Sequence, residues 1–176
     1  MKERADQPGL APSVFVALGS NLGNPAANVL RAMQRLEVFS SGSLLRSSLW
    51  QSTPVDCPPD SPPFVNAVVG LSPLPNETPE TLLAKLQSLE QEFGRRRKRQ
   101  KNEARPLDLD LLVFGDGIRH SAHLTLPHPR AHLRRFVLQP LSEIAFDLVL
   151  PGQNKSVGTL LGELGTDEVV RKIAGL

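Results

Sequence analysis

Three observations predict an α+β fold: a ferredoxin-like βαββαβ sandwich, its helices packed on a mainly antiparallel sheet, with extra C-terminal elements. Apolar runs of strand length and stretches of helical periodicity follow one another as strand–helix–strand–strand–helix–strand. Both helical stretches open on a capping side chain followed by proline, Asn24 with Pro25 and Thr78 with Pro79. The 176 residues are 40% hydrophobic and 22% charged, which suits one globular domain with a sizeable core. That domain is expected over residues 14–176, after a disordered lead-in over 1–13.

The same composition narrows the function classes. A net charge of +2 is too small for a polycation, so electrostatics must come from local clusters. Cys57 is the sole cysteine, which excludes an internal disulfide framework and fits a reducing cytosol. No apolar run reaches the length of a membrane span, and residues 1–13 lack the apolar centre of a signal peptide. A cytoplasmic protein without membrane partners is expected.

Taken in order, VFVAL at 14–18 reads as a buried strand running into the turn GSNLGN at 19–24. A helix follows from Pro25, with Val29, Met33 and Leu36 on its apolar stripe. Residues 43–51 alternate loosely and read as a second strand. Residues 52–63 carry several prolines and form a long loop, a kind that is usually functional. FVNAVVGL at 64–71 is a third strand, polar only at Asn66. Leu82, Leu86, Leu89 and Phe93 mark the second helix, which Gly94 closes. Further on, Asp116 and Gly117 predict a hairpin turn, residues 124–128 and 148–150 short strands, 136–144 partial helix and 156–164 a weak terminal helix. His120, His123, His128 and His132 lack the spacing of a zinc site.

The stretch RPLDLDLLVF at 105–114 carries the chemistry. As a strand it sends Leu107, Leu109 and Leu111 into a core and puts Asp108 and Asp110 on the other face, roughly 6–7 Å apart at Cα. Two neighbouring carboxylates repel unless a hard cation lies between them, and Mg²⁺ takes such oxygen ligands together with substrate phosphates. The alternative is an edge strand whose polar face meets water. Just upstream lies the basic run RRRKRQK at 95–101, readable as a solvated loop, a nucleic-acid patch or a polyphosphate clamp. Its nearness to Arg105 and the paired carboxylates favours the clamp, and it carries none of the aromatic platforms that single-stranded nucleic acid prefers.

These motifs in this order resemble the 6-hydroxymethyl-7,8-dihydropterin pyrophosphokinases of folate biosynthesis: GSNLG at 19–23, FVN at 64–66, Arg95 and Arg97, RPLDLD at 105–110, then Pro127, His128, Arg134 and Phe136. The resemblance implies transfer of pyrophosphate from ATP to a reduced pterin, leaving AMP, with ATP and the pterin as partners, no nucleic acid, and a monomeric enzyme. It implies two Mg²⁺ ions on Asp108 and Asp110, and catalytic roles for these two with Arg97 and Arg105. Nucleotide contacts are implied for Gln87, Glu90, Arg97, Lys101, Arg105, Leu111, Thr125, His128 and Arg134. Pterin contacts are implied for Ser52, Thr53, Val55, Phe64, Asn66, Asp108 and Phe136, the two phenylalanines sandwiching the ring. Asn102, Lys101, Pro129 and His123 depart from residues that some members carry. The remaining alternative is a non-catalytic, nucleic-acid-binding ferredoxin-like module using the run at 95–101.

Overall fold

Both helix starts are built as the sequence reads. In a computed structural model, which describes residues 12–95 and 103–174, strand β1 (Val14–Ser20) leads to helix α1 (Pro25–Leu36). The Asn24 side chain accepts the Ala27 N–H at the N-terminus of α1. Two short strands follow, β2 (Leu45–Arg46) and β3 (Trp50–Ser52), and then the long β4 (Phe64–Leu71). Helix α2 (Pro79–Glu92) is capped reciprocally by Thr78 and Thr81, and Gly94, at φ +88°, turns the chain out of it.

Beyond it come β5 (Asp108–Phe114), β6 (Arg119–His120), β7 (Thr125–Leu126), α3 (Arg135–Ile144), α4 (Val157–Glu163) and β8 (Val170–Lys172). The main sheet runs β5-β1-β4-β3-β8, with β2 also beside β4, and every pairing is antiparallel. With β2 and β3 as two pieces of one strand, the inner order is the split βαβ arrangement.

Each face of the sheet has its own helical layer. Val16, Leu18, Val69, Leu109 and Leu111 pack with Met33 and Leu36 of α1 and with Leu82, Leu86 and Leu89 of α2. Phe15, Val68, Leu112 and Val113 pack with Leu138 and Leu141 of α3 and with Val157 of α4. The extra C-terminal elements therefore cover the face that a bare βαββαβ unit leaves open. Leu107, Leu109 and Leu111 enter the α1/α2 core as expected, each such burial contributing about 1.5–3 kcal/mol.

One bulge sets the orientation of β5. Phe15 lies opposite Val113 and Val16 opposite Leu111, so Leu112 is the extra residue. Upstream of it, Ala17 faces Asp110, and Gly19 faces both Asp108 and Asn66. Residues directly opposite share a face, so Asp108, Gly19 and Asn66 form a row across the sheet, with Asp110 one step along.

Four details differ from the sequence reading. The strand expected over 43–51 breaks because Ser47 Oγ accepts the Val68 N–H at 2.9 Å, replacing a backbone acceptor. The turn at Asp116 and Gly117 forms, with the Gly117 N–H on Phe114 O, but it leads into β6, which pairs with β7 in a separate two-stranded sheet. Residues 148–150 make only an isolated bridge, Val149 to Ser156. Strand β8 was not foreseen; it lies beside β3 through long-range pairing.

Candidate active site

The row across the sheet floors a cleft lined by both polar and apolar side chains. Its lining includes Gly19 from β1, Phe64 and Asn66 from β4, and Asp108 and Asp110 from β5. Ser52, Thr53, Val55 and Cys57 form one wall, and Arg134 and Phe136, at the start of α3, form another. All the residues expected to contact pterin thus meet in one place.

Asn66 is buried, and its Nδ2 donates to Ser52 Oγ at 2.7 Å. The carbonyl end of the same amide is 3.4 Å from where a β-carbon on Gly19 would stand, an ordinary van der Waals contact. The two aromatic rings each sit by a guanidinium: Arg105 lies 5.7 Å from the Phe64 centroid and Arg134 lies 5.3 Å from that of Phe136.

Asp108 is held on both oxygens, Oδ1 by Arg95 at 2.7 Å and Oδ2 by Arg105 at 3.2 Å. The Arg105 backbone is fixed in turn by Asn21, a buried residue of the first turn. Asn21 Oδ1 accepts the Arg105 N–H at 2.9 Å, and Asn21 Nδ2 donates to Pro62 O at 3.3 Å in the long loop. Arg105 Nε is buried and has no partner among the described residues, leaving a donor in the cleft wall for an incoming acceptor.

Burial raises the pKa of Asp110, and the neighbouring charge of Asp108 raises it further, against the pull of His128, Arg134 and Arg105. His128 shifts the other way: burial disfavours its cation more than Asp110 supports it. Glu90 sits behind the pair, accepting the Leu109 N–H at 2.7 Å and pairing with Arg95. Burial pushes Glu90 up to about 7 although both contacts favour its charge. Its place at the root of the basic run makes it an anchor for Arg95 and for the outer edge of β5.

A second groove opens along that edge. It is lined by Leu111, Thr125, His128, His123 and Pro129, with Leu83 of α2 at its margin, and it shares Asp110 with the first cleft. Three residues expected at the nucleotide, Leu111, Thr125 and His128, therefore come together there. Leu111 buries its side chain in the core, so its backbone faces this role. Gln87 is exposed on α2 and does not line the groove. Arg97, Lys101 and Asn102 lie outside the described residues.

Comparison with known proteins decides what this geometry belongs to. The family described as 7,8-dihydro-6-hydroxymethylpterin-pyrophosphokinase (HPPK) matches residues 15–146. The chain belongs to this family. It is 42% identical over 140 residues to 2-amino-4-hydroxy-6-hydroxymethyldihydropteridine pyrophosphokinase of Haemophilus influenzae, covering 79% of this chain and 85% of that protein. The protein of the same description from Pseudomonas aeruginosa is 41% identical over 139 residues, covering 78% of this chain and 83% of its own length.

Among solved structures, Plasmodium falciparum HPPK-DHPS with SDX-DHP superposes with a TM-score of 0.68 at 13% identity, over 88% of this chain and 44% of that one. The chain thus spans under half of that longer protein, and the likeness supports the fold. The chain is an ATP-dependent pyrophosphokinase of folate biosynthesis, and the nucleic-acid alternative finds no support in these likenesses. Among the described residues, no helix is long and apolar enough to cross a membrane.

Sequence reasoning passed over several residues that shape this cleft. Asn21 was legible only as part of a turn, although a buried asparagine signals a structural amide. Cys57 and Ala17 line the cleft with no chemical signature to announce them.

Proposed function

We propose that the chain performs its family's transfer at the junction of the two cavities, with Asp110 common to both. The single observation that carries this reading is the carboxylate pair, set between an aromatic cleft and an edge groove and faced by Arg95, Arg105 and Arg134. The reduced pterin stacks between Phe64 and Phe136, its hydrogen-bonding edge read by Asn66 with Ser52, Thr53 and Val55 at the wall. ATP lies along the edge groove against Leu111, Thr125 and His128, with Arg134 reaching its phosphates. Arg97 and Lys101 contribute from the basic run, and Glu90 acts through its hold on Arg95 and β5.

The donor set fits magnesium: two hard carboxylates on adjacent same-face positions, whose mutual repulsion a dication relieves. Asp108 and Asp110 would hold two Mg²⁺ ions, which supply charge neutralisation on the phosphates and acidify the pterin hydroxyl. Arg95 and Arg105 then exchange Asp108 for phosphate oxygens, and the unpartnered Arg105 Nε gains an acceptor.

In the transfer, the pterin hydroxymethyl oxygen forms a bond to the β-phosphorus as the bond to the α–β bridging oxygen breaks, and AMP departs. Asp108 takes the hydroxyl proton, while Arg97 and Arg105 stabilise the charge that spreads over the moving group. The enzyme acts as a cytoplasmic monomer, one domain over 14–176, with no nucleic-acid partner.

A coupled assay with ATP, Mg²⁺ and 6-hydroxymethyl-7,8-dihydropterin tests the reaction. Pterin-dependent AMP is expected; ADP, or AMP without dependence on pterin, would overturn it.

A further inference from the structure

Two walls of the pterin cleft come from distant parts of the chain, the end of β3 with Ser52 and Thr53 and the start of α3 with Arg134 and Phe136. Residues 164–173 run from one wall to the other. At α3, Arg135 Nη2 donates to Leu164 O at 3.0 Å, and Glu168 Oε2 accepts the Phe136 N–H at 3.2 Å. At β3, the Thr53 N–H donates to Val169 O at 3.1 Å, and the Val169 N–H donates to Thr53 Oγ1 at 3.4 Å. Strand β8 then continues the pairing, with Val170 opposite Ser52 and Lys172 opposite Trp50.

Glu168 and Val169 are consecutive, so one peptide unit ties the ring-bearing wall to the polar wall. The family match ends at residue 146 and does not reach this segment. Helix α3 has no side-chain cap of its own at Arg134, and the first turn of a helix leaves N–H groups without intrahelical partners. The Glu168 carboxylate satisfies one of them, at Phe136 itself, and its charge also faces Arg134.

We infer that Glu168 is a positioning residue for pterin recognition: by clamping the Phe136 backbone to the strand end beside Thr53, it sets the gap into which the flat ring slides. This rests on the cleft being the pterin site. Loosening the clamp lets α3 shift its first turn, which widens the space between Phe64 and Phe136. The edge groove, built on β5 and the 121–129 segment, is touched by it only through Arg134.

The test is steady-state kinetics of the full chain with 6-hydroxymethyl-7,8-dihydropterin and ATP, comparing Glu168→Ala with Glu168→Gln. Glu168→Ala is expected to raise the KM for the pterin by about tenfold, with kcat within about twofold and the KM for ATP rising no more than about threefold through Arg134, since one charged hydrogen bond is lost at one wall. Glu168→Gln, whose amide oxygen can accept the same N–H, is expected to stay within about threefold of the parent. Thermal unfolding of both variants accompanies the kinetics. An unchanged pterin KM in Glu168→Ala overturns the inference, as do equal losses toward ATP and pterin or no rescue by Gln. A parent chain that makes no pterin-dependent AMP overturns the reading of the site itself, a distinct result.

Discussion

Gly19 shows how much of the site depends on what is missing from a side chain. It sits between Asp108 and Asn66, and a β-carbon there would stand 3.4 Å from Asn66 Oδ1 and 3.8 Å from the Phe64 ring. Gly19→Ala therefore fits at ordinary van der Waals distance, whereas the longer, branched side chain of Gly19→Val reaches towards the amide and the ring and brings the ~1–3 kcal/mol typical of overpacking. In Gly19→Val we expect the KM for pterin to rise several-fold, with Gly19→Ala close to the parent; an unchanged KM in Gly19→Val would mean that neither group reads the pterin. Asp108 and Asp110 were legible in the sequence because strand alternation alone puts them on one face, and the same alternation sends Leu107, Leu109 and Leu111 inward. Cys57 was not, since a half-buried thiol on a proline-rich loop looks the same in sequence whether it faces a ligand or water.

At the scale of elements, the helix caps were readable because a cap and its target lie three residues apart, as Asn24 and Ala27 do. The bulge at Leu112, the break at Ser47 and the whole of β8 were not, because each depends on partners tens of residues away. Glu143 of α3 gathers several such contacts. Its carboxylate accepts from the Ser48 N–H at 2.8 Å, Ser48 Oγ at 2.7 Å, Trp50 Nε1 at 3.2 Å and Lys172 Nζ at 2.8 Å, so it joins α3, β3 and β8. Burial alone would raise its pKa, but these donors outweigh burial and hold it at about 2. A depressed carboxylate contributes stability that is present above its ordinary value near 4.5 and is lost as pH falls towards 2. Glu143→Ala should cost about 0.5–1.5 kcal/mol in urea unfolding at pH 7, solvent screening holding the loss down at this exposed carboxylate. The deficit should shrink as pH falls from 4.5 towards 2, whereas a deficit independent of pH would show that packing, not charge, carries the effect.

For the whole molecule, the arrangement trades stability for chemistry at β5. Asp110 is half-buried beside Asp108 with its pKa raised, so above the ordinary aspartate range its ionised form weakens the ligand-free fold. Two helical layers hold the sheet firmly enough to tolerate that. The ferredoxin-like core was readable from element order alone, whereas the second helical layer that completes the cleft through Arg134 and Phe136 was readable only as extra elements. Asp110→Asn keeps the shape and removes the charge, which separates the two roles. The decisive measurement is the product ratio by phosphorus NMR with ATP, Mg²⁺ and 6-hydroxymethyl-7,8-dihydropterin, for the parent chain and Asp110→Asn, alongside melting temperatures without Mg²⁺. The parent should give AMP and pterin diphosphate in equal amounts. Asp110→Asn should melt higher yet turn over ~10³-fold more slowly or worse, since metal-assisted charge stabilisation amounts to several kcal/mol. A variant that forms AMP at nearly the parent's rate would contradict the assignment of Asp110 to the metals.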